Sequence, residues 1–258
     1  MRILFSIITC ALLACCAIQS PQAGPVGFRL SSGFKPSQIP GLQLWLDASQ
    51  IVGLNDGDAV ATWSDLSGNA NNATQGTASA RPTYQTGEIN GQAVVQFDGT
   101  DDYLSLPSIN ANTVGTVFIV GKKLGASSVF LGLQSFASGT GPSLPFYFSS
   151  NSYLYIQRGG TGDYVGASGQ NATLQSAFLY AGKIDGATLS QRVNRTDLGV
   201  ATSGAVACNN GFDALGGRIA AGVWGNQMVA EVLFYNSALS AADIVRVETY
   251  LTAKWGTP

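Results

Sequence analysis

Three carboxylates fall within five residues, Asp98, Asp101 and Asp102, on the link DGTDD between the apolar runs AVVQF and YLSL. Oxygen ligands at this density suit Ca2+, which takes about six to eight of them at flexible geometry. Asn90, or a backbone carbonyl from the loop around Asn69, could complete such a shell. A plainer role competes: Asp98-Gly99 is a strong hairpin-turn signal, with Asp101 and Asp102 capping strand ends. Asp102 shares parity with Leu104 and Leu106, which aims it inward, and an inward carboxylate must be paired or bound.

The remaining acids are scattered. The glutamates are Glu88, Glu231 and Glu248, and there is no histidine. Ser-His-Asp, Cys-His and histidine-ligated zinc chemistry are therefore excluded. Glu231 lies in an apolar strand, on the face of Val229, Leu233 and Tyr235, and needs a cation, with Arg218 or Arg246 as candidates. As a glycosidic acid it would need a second carboxylate about 5–10 Å away, so an ion pair is the favoured expectation. Asp65, Ser67, Asn69, Asn71 and Asn72 form a polar loop whose side chains are expected to bond their own backbone. Cys208 has no basic partner and reads as a small buried residue at a strand end.

Carbohydrate recognition uses exposed aromatic faces beside amides and charges. The best platform is LPFYFSSNSYLYIQR at 144–158, where Tyr153, Tyr155 and Gln157 alternate with Leu154 and Ile156 and Arg158 closes the run. Tyr147 alternates with Phe146 and Phe148. Trp224, in a glycine-rich loop, is a further candidate. Aromatic cross-strand packing is the competing role for each.

The 32 glycines punctuate runs of five to eight residues rich in Val, Ile, Phe and Tyr. LQLWLDAS, AVATW, TVFIVGKK, SVFLGLQ, LPFYFSS, SYLYIQR, AFLYAGKI, TLSQRV and MVAEVLFY all read as strands. With no helical period between them they predict an all-β fold, an antiparallel two-sheet jelly-roll sandwich. One C-terminal helix is expected: Ser240 as N-cap, Asp243 three residues on, Ile244, Val247, Leu251 and Trp255 on one face, and Gly256 as terminator.

Of 258 residues, 11% are charged and the net charge is −2. Nucleic-acid binding, which needs clustered Lys and Arg, is excluded, and 45% hydrophobic content argues against disorder. Residues 1–23 read as a signal segment, with Arg2 before an apolar core too short to span a bilayer. Leu12-Leu13-Ala14-Cys15 is similar to a lipobox, with Cys15 lipidated; cleavage after Ala17 or Ala23 is the alternative. The chain is expected to be exported, secreted or at the cell surface, with no transmembrane segment. Residues 24–40 read as a flexible arm and 41–258 as one domain. With Cys10, Cys15 and Cys16 in the signal segment, Cys208 has no disulfide partner.

Four stretches carry a family resemblance: IPGLQLWLDAS, WSDLSGNANNATQ, RPTYQTGEINGQAVVQFDGTDDYLSL and AEVLFYNSALSAADIVRVETYLTAKWG. Together they resemble the bacterial and viral concanavalin A-like lectin/glucanase modules related to the laminin G domain. The resemblance implies a carbohydrate-binding or adhesion module, with calcium in some relatives. The E-x-D-x-x-E spacing of the family's glucanases does not occur here. The resulting expectation is a non-enzymatic lectin-like module that binds glycan or a cell-surface or virion protein. A structural or adhesion protein is the second reading. A polysaccharide hydrolase, or a lyase working through Tyr153 or Tyr164, is the third.

Overall fold

The computed structural model describes residues 33–109, 114–125, 128–132, 146–148, 154–157, 164–167, 170–202, 212–218 and 222–258. The strands in chain order begin with β1 (Leu42–Asp47), β2 (Thr62–Trp63), β3 (Ala73–Thr74), β4 (Thr83–Ile89), β5 (Gln92–Asp98) and β6 (Leu104–Ile109). The middle of the chain supplies β7 (Val114–Lys123), β8 (Ser128–Gly132), β9 (Phe146–Phe148), β10 (Leu154–Gln157) and β11 (Tyr164–Ala167). After a short helix α1 (Asn171–Gln175) come β12 (Phe178–Asp185), β13 (Thr188–Val193), β14 (Thr196–Thr202) and β15 (Phe212–Leu215). The chain closes with β16 (Gly217–Arg218), β17 (Val223–Trp224), β18 (Asn226–Tyr235) and helix α2 (Ala241–Trp255).

These strands form the expected antiparallel sandwich. One eight-stranded sheet runs β14-β13-β12-β7-β18-β5-β4, with β1 also on β18; the other runs β11-β10-β9-β8-β15-β6-β3-β2. Leu46, Trp63, Val95, Phe97, Leu104, Ile119, Tyr180 and Phe234 fill the space between the sheets. A second core lies outside the first sheet, where Ile244, Val247, Leu251 and Trp255 of α2 cover Phe118, Val120, Leu233 and Tyr235. The predicted helix forms as its sequence directs: the Ser240 side chain accepts from Asp243 N, and Gly256 ends it in the left-handed region at φ 65°. Among the described residues no helix is long and apolar enough to cross a membrane.

One turn differs from expectation. Asp98-Gly99 was predicted to join a hairpin, yet β5 belongs to the first sheet and β6 to the second. Gly99 does take the left-handed conformation, φ 79°, but the link turns a corner between sheets. The hairpin is one turn earlier, where Asn90 (φ 50°) and Gly91 (φ 71°) join β4 to β5. Both central residues at positive φ are what a two-residue hairpin requires.

Strand β18 lies at the centre of the first sheet and carries its most consequential irregularity. Its register against β7 slips between Val229, opposite Gly121, and Glu231, opposite Val120. The extra residue, Ala230, places both Ala230 and Glu231 on the helix side, while Val229 and Val232 face the inter-sheet core. Glu231 therefore does not share a face with Val229. It is 1% exposed and accepts four hydrogen bonds: from Trp45 Nε1 (2.8 Å), Tyr250 OH (3.1 Å), Lys254 Nζ (2.9 Å) and Trp255 Nε1 (2.6 Å). Lys254 also bonds Asp47 on β1. The cation on Glu231 is thus Lys254 and not Arg246, which pairs with Asp243 at 3.1 Å and stacks over Phe34; the side chain of Arg218 lies outside the described residues. Glu231 is held above the usual carboxylate range by burial first and by the Asp47 charge second, against the pull of Lys254. A second tie joins α2 to β13, where Arg192 Nε donates to buried Glu248 at 2.9 Å.

Removing one partner of a buried pair leaves an uncompensated charge, which costs about 3–5 kcal/mol. Lys254→Met, which keeps the apolar stem, should lower stability on that scale in denaturant titration. Arg246→Met, at a half-exposed pair, should lower it by less than about 1 kcal/mol.

Candidate functional site

The three clustered aspartates sit at the corner between the sheets. Asp98 ends β5 and is paired with Asn226, the first residue of β18. Its Oδ1 accepts from the backbone N–H of Thr100 (2.7 Å) and of Asp101 (3.4 Å), which closes the turn. Its own N–H donates to Asp102 Oδ2 at 3.0 Å. Asp102 is 6% exposed, inward as its parity with Leu104 predicts, whereas Asp98 is exposed. The three carboxylates place oxygens within 4.8 Å of one another. Among the described residues none of the three has an ion-pair partner.

This arrangement splits their protonation. Burial pushes Asp102 up to about 6, with Asp98 and Asp101 adding to the shift and the Asp98 N–H opposing it. Burial also raises Asp98, but the N–H groups of Thr100, Asp101 and Asp102 and the Thr100 hydroxyl outweigh it and hold that carboxyl below the usual range. A weak acid and a committed carboxylate thus lie side by side, and environments that push two carboxyls apart set up acid and base roles.

An open cleft of about 430 Å³ borders them, lined by Asp98, Gly99, Gly125, Val223, Trp224 and Asn226. Two close backbone approaches make it. A Cβ on Gly99 or on Gly125 would lie 2.7 Å from Asn226 Cβ, so Asn226 is gripped between two glycines. Strands β16 and β17 form a two-stranded ribbon that carries Trp224 over Gly217, where a Cβ would come within 2.7 Å of the indole. The ring stacks on Tyr103, with centroids 5.9 Å apart and planes inclined by 28°. Of these groups Trp224 and Asp98 line the cleft itself, and Tyr103 reaches it through its stack on Trp224.

Other candidates fall elsewhere. Tyr147 and Tyr155 are register partners on β9 and β10, Gln157 is opposite Tyr164 of β11, and all belong to the second sheet. Tyr153, Arg158, Cys15 and Cys208 lie outside the described residues. The polar loop is self-bonded as expected: Asp65 accepts from Trp45 N, Ser67 N, Ser67 Oγ and Asn71 N, and Asn69 and Asn71 donate to carbonyls of β1. Glu88 is exposed on β4, and Glu231 and Glu248 are committed to α2. Sequence reasoning missed Tyr103 and Asn226. The only signals were the Tyr that follows the paired aspartates and the glycines flanking Trp224.

No family model matches this sequence, and no curated protein does. The fold is similar to solved structures. Trypanosoma rangeli sialidase in complex with sialic acid superposes with a TM-score of 0.57 at 16% identity over 83% of this chain. The chain spans about a third of that protein, 33% of its length. An arabinofuranosidase complexed with arabinofuranosyl-α-1,2-xylobiose gives 0.57 at 11% identity, covering 76% of this chain and 51% of the other. Domain 4 of AbnA, a GH43 extracellular arabinanase from Geobacillus stearothermophilus, in complex with arabinotriose, gives 0.52 at 15% identity, covering 80% and 98%. The chain is a β-sandwich of the jelly-roll kind found in these proteins.

These neighbours correct the functional expectation. A non-enzymatic lectin-like or adhesion module was anticipated from the lack of histidine and of a glutamate pair; the similar folds belong instead to carbohydrate-active enzymes. Physically, a missing histidine removes only histidine-dependent mechanisms, whereas a carboxylate pair can be assembled by any corner that brings two aspartates together. Cell-surface protein partners have no support among them.

Two measurements follow from the site. Between about pH 4 and pH 6 the folded chain keeps a proton on Asp102 that the unfolded chain has released, so this group's contribution to stability is lost as pH rises through that window. Asp102→Asn, which still accepts from Asp98 N, should flatten the slope and stabilise the chain at pH 7 by on the order of 2 kcal/mol, read by thermal or denaturant melts across pH. Gly217→Ala should lift the Trp224 ring off the ribbon, seen as a shifted indole emission in an otherwise folded protein.

Proposed function

We propose that this chain is a glycoside hydrolase-like, glycan-directed module whose sugar site is the cleft beside Trp224. The observation that carries the reading is Trp224, stacked on Tyr103, lining one cleft with Asp98 and Asn226, with Asp102 bonded behind Asp98. An amphipathic ring platform beside carboxylate and amide groups matches a pyranose or furanose, which offers an apolar face and a rim of hydroxyls. The similar folds support it: the sialidase, the arabinofuranosidase and the arabinanase domain were each solved with a sugar ligand.

A catalytic version of the reading is favoured by one specific feature. Asp102, pushed up to about 6, is an acid beside the ionised Asp98. A proton donor and a carboxylate that close match the pair that retaining glycoside hydrolysis uses, about 5–5.5 Å apart. Membership of the laminin G-like, concanavalin A-like superfamily, export and lipidation at Cys15 rest on the sequence and remain part of this proposal; a calcium ion at the aspartates, which would hold Asp102 ionised, and a sugar platform on the strands of 144–158 are the alternatives to the catalytic pair and to the Trp224 cleft.

Retention on, and reducing-end release from, a panel of arabinan, xylan, glucan and chitin oligosaccharides tests the reading. Trp224→Ala should weaken retention by about tenfold or more, and Asp102→Asn should abolish release while leaving retention in place. A wild-type chain that neither retains nor cleaves any glycan would sink the proposal.

A further inference from the structure

The turn that joins β4 to β5 touches the end of α2, and its sequence, Asn90-Gly91, can do chemistry on itself. We infer that Asn90 is a deamidation site: the last turn of α2 restrains its reaction, and the reaction, once complete, unlatches that turn.

Ile89 and Gln92 close the ladder, so Asn90 and Gly91 stand outside it, and both are exposed. The Asn90 carboxamide lies on α2. Its Nδ2 donates to the Lys254 carbonyl at 2.9 Å. The last four carbonyls of a helix have no partner within it, and this bond fills one of them from outside. Beside the carboxamide is Gly256, where a Cβ would stand 3.1 Å from Asn90 Cγ. The same stretch supplies Lys254 Nζ and Trp255 Nε1 to the buried Glu231. The seat of Asn90 is thus continuous with the cluster that fixes the helix on the sheet.

Gly91 has no side chain to shield its backbone nitrogen. Once hydroxide removes the proton from that nitrogen, it attacks Asn90 Cγ: the N–Cγ bond forms, the Cγ–Nδ2 bond breaks, and Nδ2 leaves as ammonia with a proton from water. Water then opens the succinimide at either carbonyl, giving aspartate or isoaspartate. Ring closure and loss of ammonia both take the carboxamide off Lys254 O and off Gly256, so the folded chain resists the reaction by what these contacts are worth. The products do not restore the seat. Aspartate replaces a donor with an acceptor facing the Lys254 carbonyl and places a charge at the negative end of the helix dipole. Isoaspartate adds a main-chain carbon to a turn whose two residues set the Ile89–Gln92 register.

The full chain is held at mildly alkaline pH, folded or in concentrated urea, and conversion at Asn90 is followed by peptide mass spectrometry with fragment sequencing. The expected rate is lowest in the folded wild type and several-fold higher in urea. Gly256→Ala crowds the carboxamide off its seat, and Lys254→Met loosens the helix end. Both should react several-fold faster than wild type while circular dichroism still shows a folded chain. Asn90→Asp should melt below wild type at neutral pH. Its deficit should shrink as pH falls, because a protonated carboxyl can again donate to Lys254 O and an ionised one cannot. Equal rates in folded and unfolded chains, no conversion at Asn90 in urea, or an Asn90→Asp chain as stable as wild type would each overturn the inference. So would folded Gly256→Ala and Lys254→Met chains that react no faster than wild type; if neither variant folds, the urea comparison and the Asn90→Asp melt decide.

Discussion

The structure depends on one buried carboxylate. Glu231, at the middle of the central strand of the first sheet, collects donors from β1 and from three residues of α2 and shares Lys254 with Asp47. A carboxylate withdrawn from water costs several kcal/mol unless its lone pairs are filled. Here four donors fill them, so the cost of burial becomes a requirement that β1, β18 and the end of α2 meet at one point. The helix could slide along an apolar sheet with little change in buried area; the indole, phenol and ammonium groups allow one position only. The bulge at Ala230 is the device that makes this arrangement compatible with the core, because it sends Glu231 to the helix side while Val229 and Val232 stay between the sheets.

The same strand reaches the candidate site at its other end. Beyond the bulge, β18 pairs with β5 from Val229 back to Asn226, which stands opposite Asp98. The register fixed by the Glu231 cluster therefore fixes where the sheet ends and where the chain must turn toward the second sheet. Glycines at 99 and 125 allow Asn226 to be gripped at this end, and Gly216 lets the chain pass Phe97 and the Asp102 carbonyl before the ribbon that carries Trp224. Trp224 and the carboxylates come from segments more than a hundred residues apart. They meet because one strand borders both.

The electrostatics of the two acidic centres differ in kind. At Glu231 and Asp47 a lysine and several hydrogen-bond donors consume the charge, and what remains is structural. At the corner Asp98 and Asp102 are held by N–H groups and the Thr100 hydroxyl of their own turn, and Asp98 lines the cleft. Buried acids that are fully paired hold a fold together, whereas acids oriented without a cation keep a field available to a ligand.

Sequence alone determined the class of the fold and the position of the helix. Short β-branched and aromatic runs between glycines permit little besides an antiparallel sandwich, and Ser240, the spacing of Ile244 to Trp255, and Gly256 specify a helix with both ends marked. The inward aim of Asp102 and the self-bonded loop at Asp65 were equally legible, since both follow from local alternation and short-range hydrogen bonding. Tertiary structure decided the rest. A bulge is a mismatch between two strands, so the face of Glu231 could not be read from one of them, and its partner Lys254 is 23 residues away across a helix. Asp98-Gly99 has the composition of a hairpin turn, but whether the next strand pairs with the last or joins the opposite sheet depends on which neighbours are already in place. Trp224 stood out as an isolated aromatic; that it lies on Tyr103 and shares a cleft with Asp98 is a property of the folded chain.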